Sequence, residues 1–186
     1  ARLIVNYEII GRSDAQILEQ FAADPSKLSV EEMVYGANKL VKDDATRQKW
    51  NEAIAKQYPS DYRALNNMAQ QAISKGDMAA AQNYLKQAAN VNKNASEVNT
   101  NLALMALKSG DVAKAETYLS KGTGSDTFKE VMGNLNIAKG NYTQAASDLA
   151  GVNTNSAALA QILAKDYTSA KTTLSKIKNA DATTSY

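Results

Sequence analysis

The chain has 186 residues, 21 Lys and Arg against 19 Asp and Glu, and neither histidine nor cysteine. Its charge is nearly balanced, −1 over residues 1–60 (8 basic, 9 acidic) and +3 over 61–186 (13 basic, 10 acidic), and this excludes the basic footprint that nucleic acid binding requires. The missing cysteines exclude disulfide scaffolds and thiolate chemistry, and the missing histidines remove the commonest acid–base and zinc-binding group.

Residues 1–10 alternate, with Leu3, Val5, Tyr7 and Ile9 set against Ile4, Asn6, Glu8 and Ile10. This pattern suits a short strand ended by Gly11. A lone strand is not stable by itself. It is therefore the last strand of a missing upstream domain, a tail that pairs with a neighbouring chain, or an extended leader. Ser13 then caps a helix carrying Ile17, Leu18 and Phe21, which Asp24-Pro25 closes. Ser29-Val30-Glu31-Glu32 reads as a capping box that opens a second helix with Met33, Val34, Ala37 and Leu40. After Lys42-Asp43-Asp44 a third helix runs to about Gln57, with Trp50 and Ile54 on one face. Trp50 is expected in the core rather than as a ligand platform, and Pro59 leaves open whether Trp50 or Asn51 fills the large slot of this helix.

Three later segments share one punctuation: Lys75-Gly76-Asp77, Ser109-Gly110-Asp111 and Lys139-Gly140-Asn141. The glycines are 34 and 30 residues apart, and the same steps relate Ala81, Ala115 and Ala145, and Leu85, Leu119 and Leu149. A fourth copy, Lys165-Asp166, leads to Ala170 and Leu174. The glycine supplies a left-handed helix end. The Asp or Asn after it can cap the next helix, and the small Ala lets two antiparallel helices approach closely. A period of this size means stacked helical hairpins. With only two prolines and abundant Ala, Lys, Gln, Asn and Leu, an all-α chain is expected. No run of 18 apolar residues exists, so direct membrane insertion is not expected.

On these residues the chain resembles the tetratricopeptide repeat family, helical hairpins of 34 residues. Tyr62 would open the first clear unit, and Leu65, Met68, Ala69, Ala72, Ala81, Leu85 and Ala88 suit the family's size preferences. Leu102, Ala103, Ala106, Ala115 and Leu119 match in the second unit, and Met132, Gly133, Ala145 and Leu149 in the third. Asn99, Gly122 and Asn136 depart from the pattern. The resemblance implies a right-handed superhelical solenoid of about four stacked antiparallel hairpins. The expected organisation is a leader at 1–11, N-terminal helices with a divergent first repeat at 12–61, repeats at 62–95, 96–125, 126–150 and 151–178, and the truncated start of a further helix at 179–186. Gly122-Thr123-Gly124-Ser125-Asp126 is read as a turn that absorbs the four-residue deletion between repeats. In the last turn Lys165 stands where the others have glycine, and a left-handed conformation there would be strained.

A narrower resemblance comes from the order of the strand and Gly11, a short helix, Asp24-Pro25-Ser26-Lys27-Leu28, Tyr58-Pro59-Ser60-Asp61-Tyr62-Arg63-Ala64 and repeats shrinking toward Asn155-Ser156-Ala157-Ala158-Leu159-Ala160-Gln161. It is similar to the repeat tail of bacterial envelope proteins that carry an outer membrane protein A-like, peptidoglycan-associated domain upstream. A periplasmic, outer-membrane-associated location is what this implies, with a cytoplasmic one as the alternative. Lacking an initiating Met and a signal peptide, the chain is expected to be a mature or excised piece.

Chemistry is not expected. Asp43-Asp44 and Glu31-Glu32 are adjacent, so their side chains diverge on a helix, and the glycine-rich 122–126 segment lacks a preceding strand and the phosphate loop's Gly-Lys-Ser/Thr ending. No catalytic residue, cofactor or metal ligand is assigned. In the resembled family the first helix of each hairpin lines the concave face, which here implies a peptide-binding surface of Arg63, Asn66, Gln70, Glu97, Thr100, Asn101, Leu104, Lys108, Thr127, Glu130 and Asn134. Carboxamides suit an extended peptide backbone because they donate and accept at once. The family's carboxylate clamp is not matched: Asn66, Thr127 and Val131 stand at basic slots, and only Asn101 agrees. The expected function is a non-enzymatic interaction scaffold with a protein or peptide partner. Its competitor is a structural spacer or oligomerisation arm, self-associating through the N-terminal strand or the uncapped C-terminal end.

Overall fold

The structure, a computed structural model, describes residues 11–177. The strand expected at 1–10 and the helix start expected at 179–186 lie outside the described residues. Among the described residues the chain is all-α, with eleven α-helices and no strand.

The N-terminal elements are α1 (Asp14–Ala23), α2 (Val30–Tyr35), which runs into a π turn at Gly36–Leu40, and α3 (Asp44–Gln57). The expected capping box of Ser29 with Glu32 forms, and the expected Ser13 cap is likewise a full capping box, with Gln16. The wide turn is closed by the Val41 amide donating to the Gly36 carbonyl at 3.0 Å. Arg47 from α3 satisfies its exposed end, donating to the carbonyls of Ala37 (3.2 Å) and Val41 (2.9 Å). Trp50 lies in the core, its ring stacked on Phe21 at 3.7 Å and 8°. A Cβ on Gly36 would fall 2.1 Å from that ring, so the absence of a side chain there gives the indole its space. Asn51 is equally buried. The choice between Trp50 and Asn51 thus resolves into both: Trp50 faces α1 and the π turn, and Asn51 faces α4, where it accepts from Asn67 at 3.3 Å.

Four hairpins follow: α4 (Arg63–Ser74) with α5 (Met78–Val91), α6 (Ser96–Lys108) with α7 (Val112–Leu119), α8 (Asp126–Ala138) with α9 (Tyr142–Asp148), and α10 (Asn155–Leu163) with α11 (Tyr167–Lys176). All four turns share one closing bond, from the amide after the left-handed residue to a carbonyl five residues back: Asp77 to Ala72, Asp111 to Ala106, Asn141 to Asn136 and Asp166 to Gln161, at 2.8–2.9 Å. Gly76, Gly110 and Gly140 take φ of 77–79°. Asp77, Asp111 and Asp166 cap the helices that follow, accepting from Ala80, Lys114 and Ser169. Asn141 does not cap; its amide turns back to Asn136 at 3.4 Å.

The small and large slots pack as their spacing implies. Ala81, Ala115 and Ala145 are fully buried, as are Leu85 and Leu149, with Leu119 close behind. In the last hairpin Leu174 is only half-buried and Thr173 is buried beside it. The three departures find local solutions. Asn99 donates to the carbonyls of Lys93 and Ala95, Gly122 accommodates the Phe128 ring, and Asn136 donates to Asp148 at 2.7 Å. The buried apolar side chains form four successive clusters along the array.

The four-residue deletion does not sit in the 122–126 turn. First helices α4, α6 and α8 keep 12, 13 and 13 residues, whereas the second helices drop from 14 in α5 to 8 in α7 and 7 in α9. Helix α7 stops early because Gly122 and Gly124 follow it, each costing about 1 kcal/mol within a helix. The connection after α7 is accordingly longer, not shorter, than the one after α5.

Lys165 takes φ 63°, the one non-glycine residue with positive φ among the described residues. Lys165→Gly should therefore stabilise the last hairpin by about 1 kcal/mol, read as slower hydrogen exchange across residues 155–176. The same hairpin buries mostly alanine (Ala157, Ala158, Ala160, Ala170), so it contributes less apolar burial than the leucine-bearing units and should exchange fastest in the unmodified chain.

Candidate functional site

The first helices lie side by side in chain order, α4 against α6, α6 against α8 and α8 against α10. They form one continuous layer, and the residues assigned to it from the sequence divide into three groups.

The first group is buried. Asn66 and Asn101 sit in the seam between α4 and α6, where the Asn101 amide donates to the Asn66 carbonyl at 2.8 Å. Thr100 is buried next to them, and its hydroxyl has no partner among the described residues. The Asn66–Asn101 bond connects consecutive repeats in this conformation. The second group is engaged at the surface. Arg63 donates to both Asp61 oxygens and to both Glu31 oxygens, in five charge-assisted contacts at 2.6–3.1 Å. Glu97 accepts from the Tyr62 hydroxyl at 3.2 Å. Exposed Gln70, Lys108 and Thr127, with half-buried Leu104, Glu130 and Asn134, form the third group, which is open to a partner.

Arg63 has a structural consequence of its own. It ties the start of α4 to the first turn of α2 through Glu31 and to its own N-terminus through Asp61. The paired guanidinium holds the Asp61 carboxyl below the usual carboxylate range and does the same to Glu31, and Arg63 is itself raised above its ordinary value. A lowered folded pKa stabilises the fold above the ordinary carboxylate value of about 4, and that stabilisation is lost as pH falls through the folded value. Asp61→Asn should therefore lower the melting temperature at pH 7 and leave the melt at pH 2 nearly unchanged.

A carboxamide-lined cleft of about 300 Å³ lies between α3 and α4, with Asn38, Asn67, Gln70 and Gln71 on its walls and Asp44 and Arg47 at its edge. Asn67 donates to Asn38 at 3.0 Å, and Gln71 donates to the Asp44 carbonyl at 3.3 Å while its own side-chain oxygen is buried without a partner. Sequence reasoning found Gln70 here and missed Asn38, Asn67 and Gln71. The adjacent Asn66-Asn67 and Gln70-Gln71 pairs were the available signal, since adjacent residues on a helix point in different directions.

Among the described residues no group of three or more acidic side chains is placed to hold a metal ion, and no helix is long and apolar enough to cross a membrane.

Residues 72–131, from the end of α4 to the first half of α8, match the tetratricopeptide repeat family. The chain is also similar in structure to a tetratricopeptide repeat protein from Parabacteroides merdae ATCC 43184, with a TM-score of 0.59 and 13% identity, over 92% of this chain and 74% of that one. At this identity the likeness shows the fold, a helical-repeat solenoid. A comparison with curated protein sequences finds no match.

Proposed function

We propose that this chain is a non-enzymatic scaffold whose first-helix layer binds an extended peptide or protein segment of a partner. Tetratricopeptide repeats in general mediate protein–protein interaction and serve as scaffolds rather than catalysts. The observation that supports the reading here is the unbroken contact of α4, α6, α8 and α10, the helices that carry Gln70, Leu104, Lys108, Thr127, Glu130 and Asn134. Asn66 and Asn101 link consecutive repeats from within the α4–α6 seam.

The test follows from the burial. Replacing Asn66 or Asn101 would unpair a buried amide, at a cost of about 1–3 kcal/mol, and confound binding with folding. A Gln70→Ala, Thr127→Ala, Asn134→Ala variant avoids this. The labelled full chain and the variant are screened against an array of unbiased dodecapeptides. Peptide binding that the variant loses, with helical circular dichroism unchanged, supports the reading. Binding that survives moves the interaction to another surface.

A second reading, a rigid spacer or oligomerisation arm, is favoured by the Asn66–Asn101 bond itself, because the molecule's own side chains occupy that part of the layer. It requires that no peptide on the array binds. We also propose a bacterial-envelope, periplasmic setting. Its support is the sequence resemblance described above, and fractionation of the producing bacterium tests it: recovery in the cytoplasm removes it.

A further inference from the structure

A second surface adjoins the first-helix layer at Lys108 and differs from it in character. Helices α5 and α7 flank a cleft of about 460 Å³ over the C-terminal half of α6. Its apolar lining comes from Met78, Leu102, Met105 and Tyr118, all half-buried. Two exposed lysines, Lys108 and Lys114, also line it, and among the described residues neither ammonium group has an ion-pair or hydrogen-bond partner. Asp77 and Asp111, which begin α5 and α7, are directed to the backbone amides of Ala80 and Lys114.

The next seam, among α7, α8 and α9, shows what a closed version looks like. There Lys139 pairs with Glu116 at 2.7 Å, joining α8 to α7, and Asn136 donates to Asp148 at 2.7 Å, joining α8 to α9. The residues in register one repeat earlier are Ser109 for Lys139, Gln82 for Glu116, Ala106 for Asn136 and Tyr118 for Asp148. None of those pairs can form either link. The first seam therefore stays open, its floor apolar and its two lysines unneutralised.

Resting on the scaffold reading above, we propose that this cleft is a docking site for an acidic partner segment that inserts one large apolar side chain, aromatic or methionine-sized, between α5 and α7. The commitment to acidic chemistry comes from the two unpaired lysines, and that to an apolar anchor from the methionine-rich lining. Methionine side chains adapt readily to different apolar shapes, and lysine attracts carboxylates without demanding one geometry. The interaction therefore selects charge and one anchor rather than a long motif.

The probe is a fluorescein-labelled heptapeptide with phenylalanine at the centre of six glutamates. Two controls carry alanine in place of phenylalanine, or lysines in place of glutamates. Anisotropy with the full chain at low salt should show binding of the first peptide, at least tenfold weaker binding of the alanine peptide, and none of the lysine peptide. Gln82→Glu with Ser109→Lys installs the ion pair of the next seam and should weaken binding at least tenfold, without loss of thermal stability. Lys108→Glu with Lys114→Glu should do the same, whereas reversing Lys86 and Lys121, outside the cleft, should not. Equal loss from the Lys86 and Lys121 reversals, or equal binding of the alanine peptide, would overturn the proposal in favour of non-specific charge attraction. Failure of the acidic peptide alongside dodecapeptide binding on the first-helix layer sinks this inference and leaves the scaffold reading standing. Failure of every peptide sinks both.

Discussion

Trp50→Ala should destabilise the N-terminal unit by about 3–5 kcal/mol, the range for removing a large aromatic from a core. The ring is almost completely buried, stacks on Phe21 and fills the space that Gly36 leaves open. Because the cluster of buried side chains that includes Trp50 joins α1 to α3 and reaches only Ala64 of α4, collapse around the gap extends no further than the first helix of the repeats. Stability in an array is roughly a sum of unit and nearest-neighbour terms. Hydrogen exchange should therefore accelerate strongly across residues 14–57, moderately in α4, and little in α8 and beyond. Equal acceleration along the whole chain would show that the array unfolds as one cooperative body and would contradict the separation of its cores.

Gly133→Leu should cost about 3 kcal/mol, the upper end for overpacking a filled core. Helix propensity alone predicts the opposite sign, since glycine within a helix is worse than a side-chain-bearing residue by about 0.5–1 kcal/mol. Packing wins because a Cβ at this position would meet Leu149 Cγ at 2.4 Å, and Leu149 is fully buried. Adding Leu149→Ala opens room for the new side chain. Chemical denaturation of the four members of this cycle should give a coupling above about 1 kcal/mol. Additive losses would mean that α8 and α9 separate to relieve the contact.

Much of this fold was legible in the sequence because its punctuation is local. Each hairpin turn is written in two adjacent residues, a left-handed one and a cap, and the buried Ala and Leu follow at fixed distances. Lys165 illustrates how far such reasoning reaches: its left-handed backbone followed from occupying the glycine slot. The binding face was harder to read. Asn66 and Asn101 are 35 residues apart and pair only because α4 and α6 meet at one register. In the sequence, the same spacing suits a solvent-facing ladder equally well. The location of the deletion was misread for a related reason. A shortened repeat shows how many residues are missing but not which element gives them up, and α7 yielded because glycines follow it. The cleft between α5 and α7 was invisible to motif reading, since it is defined by links that Gln82 and Ser109 fail to make.

The division of the apolar interior into four successive clusters bears on how the molecule would respond to tension. Pulled from both ends, a body with one shared core resists and then gives way at once. Here each cluster joins only neighbouring elements: the last ties Ala145 and Leu149 to α10, so release of the α10–α11 pair would uncover those two residues and leave the earlier clusters closed. A released unit of some 30 residues would lengthen the chain by about 100 Å at full extension. Under load the array would therefore lengthen in steps, from the α10–α11 hairpin inward, rather than give way at once.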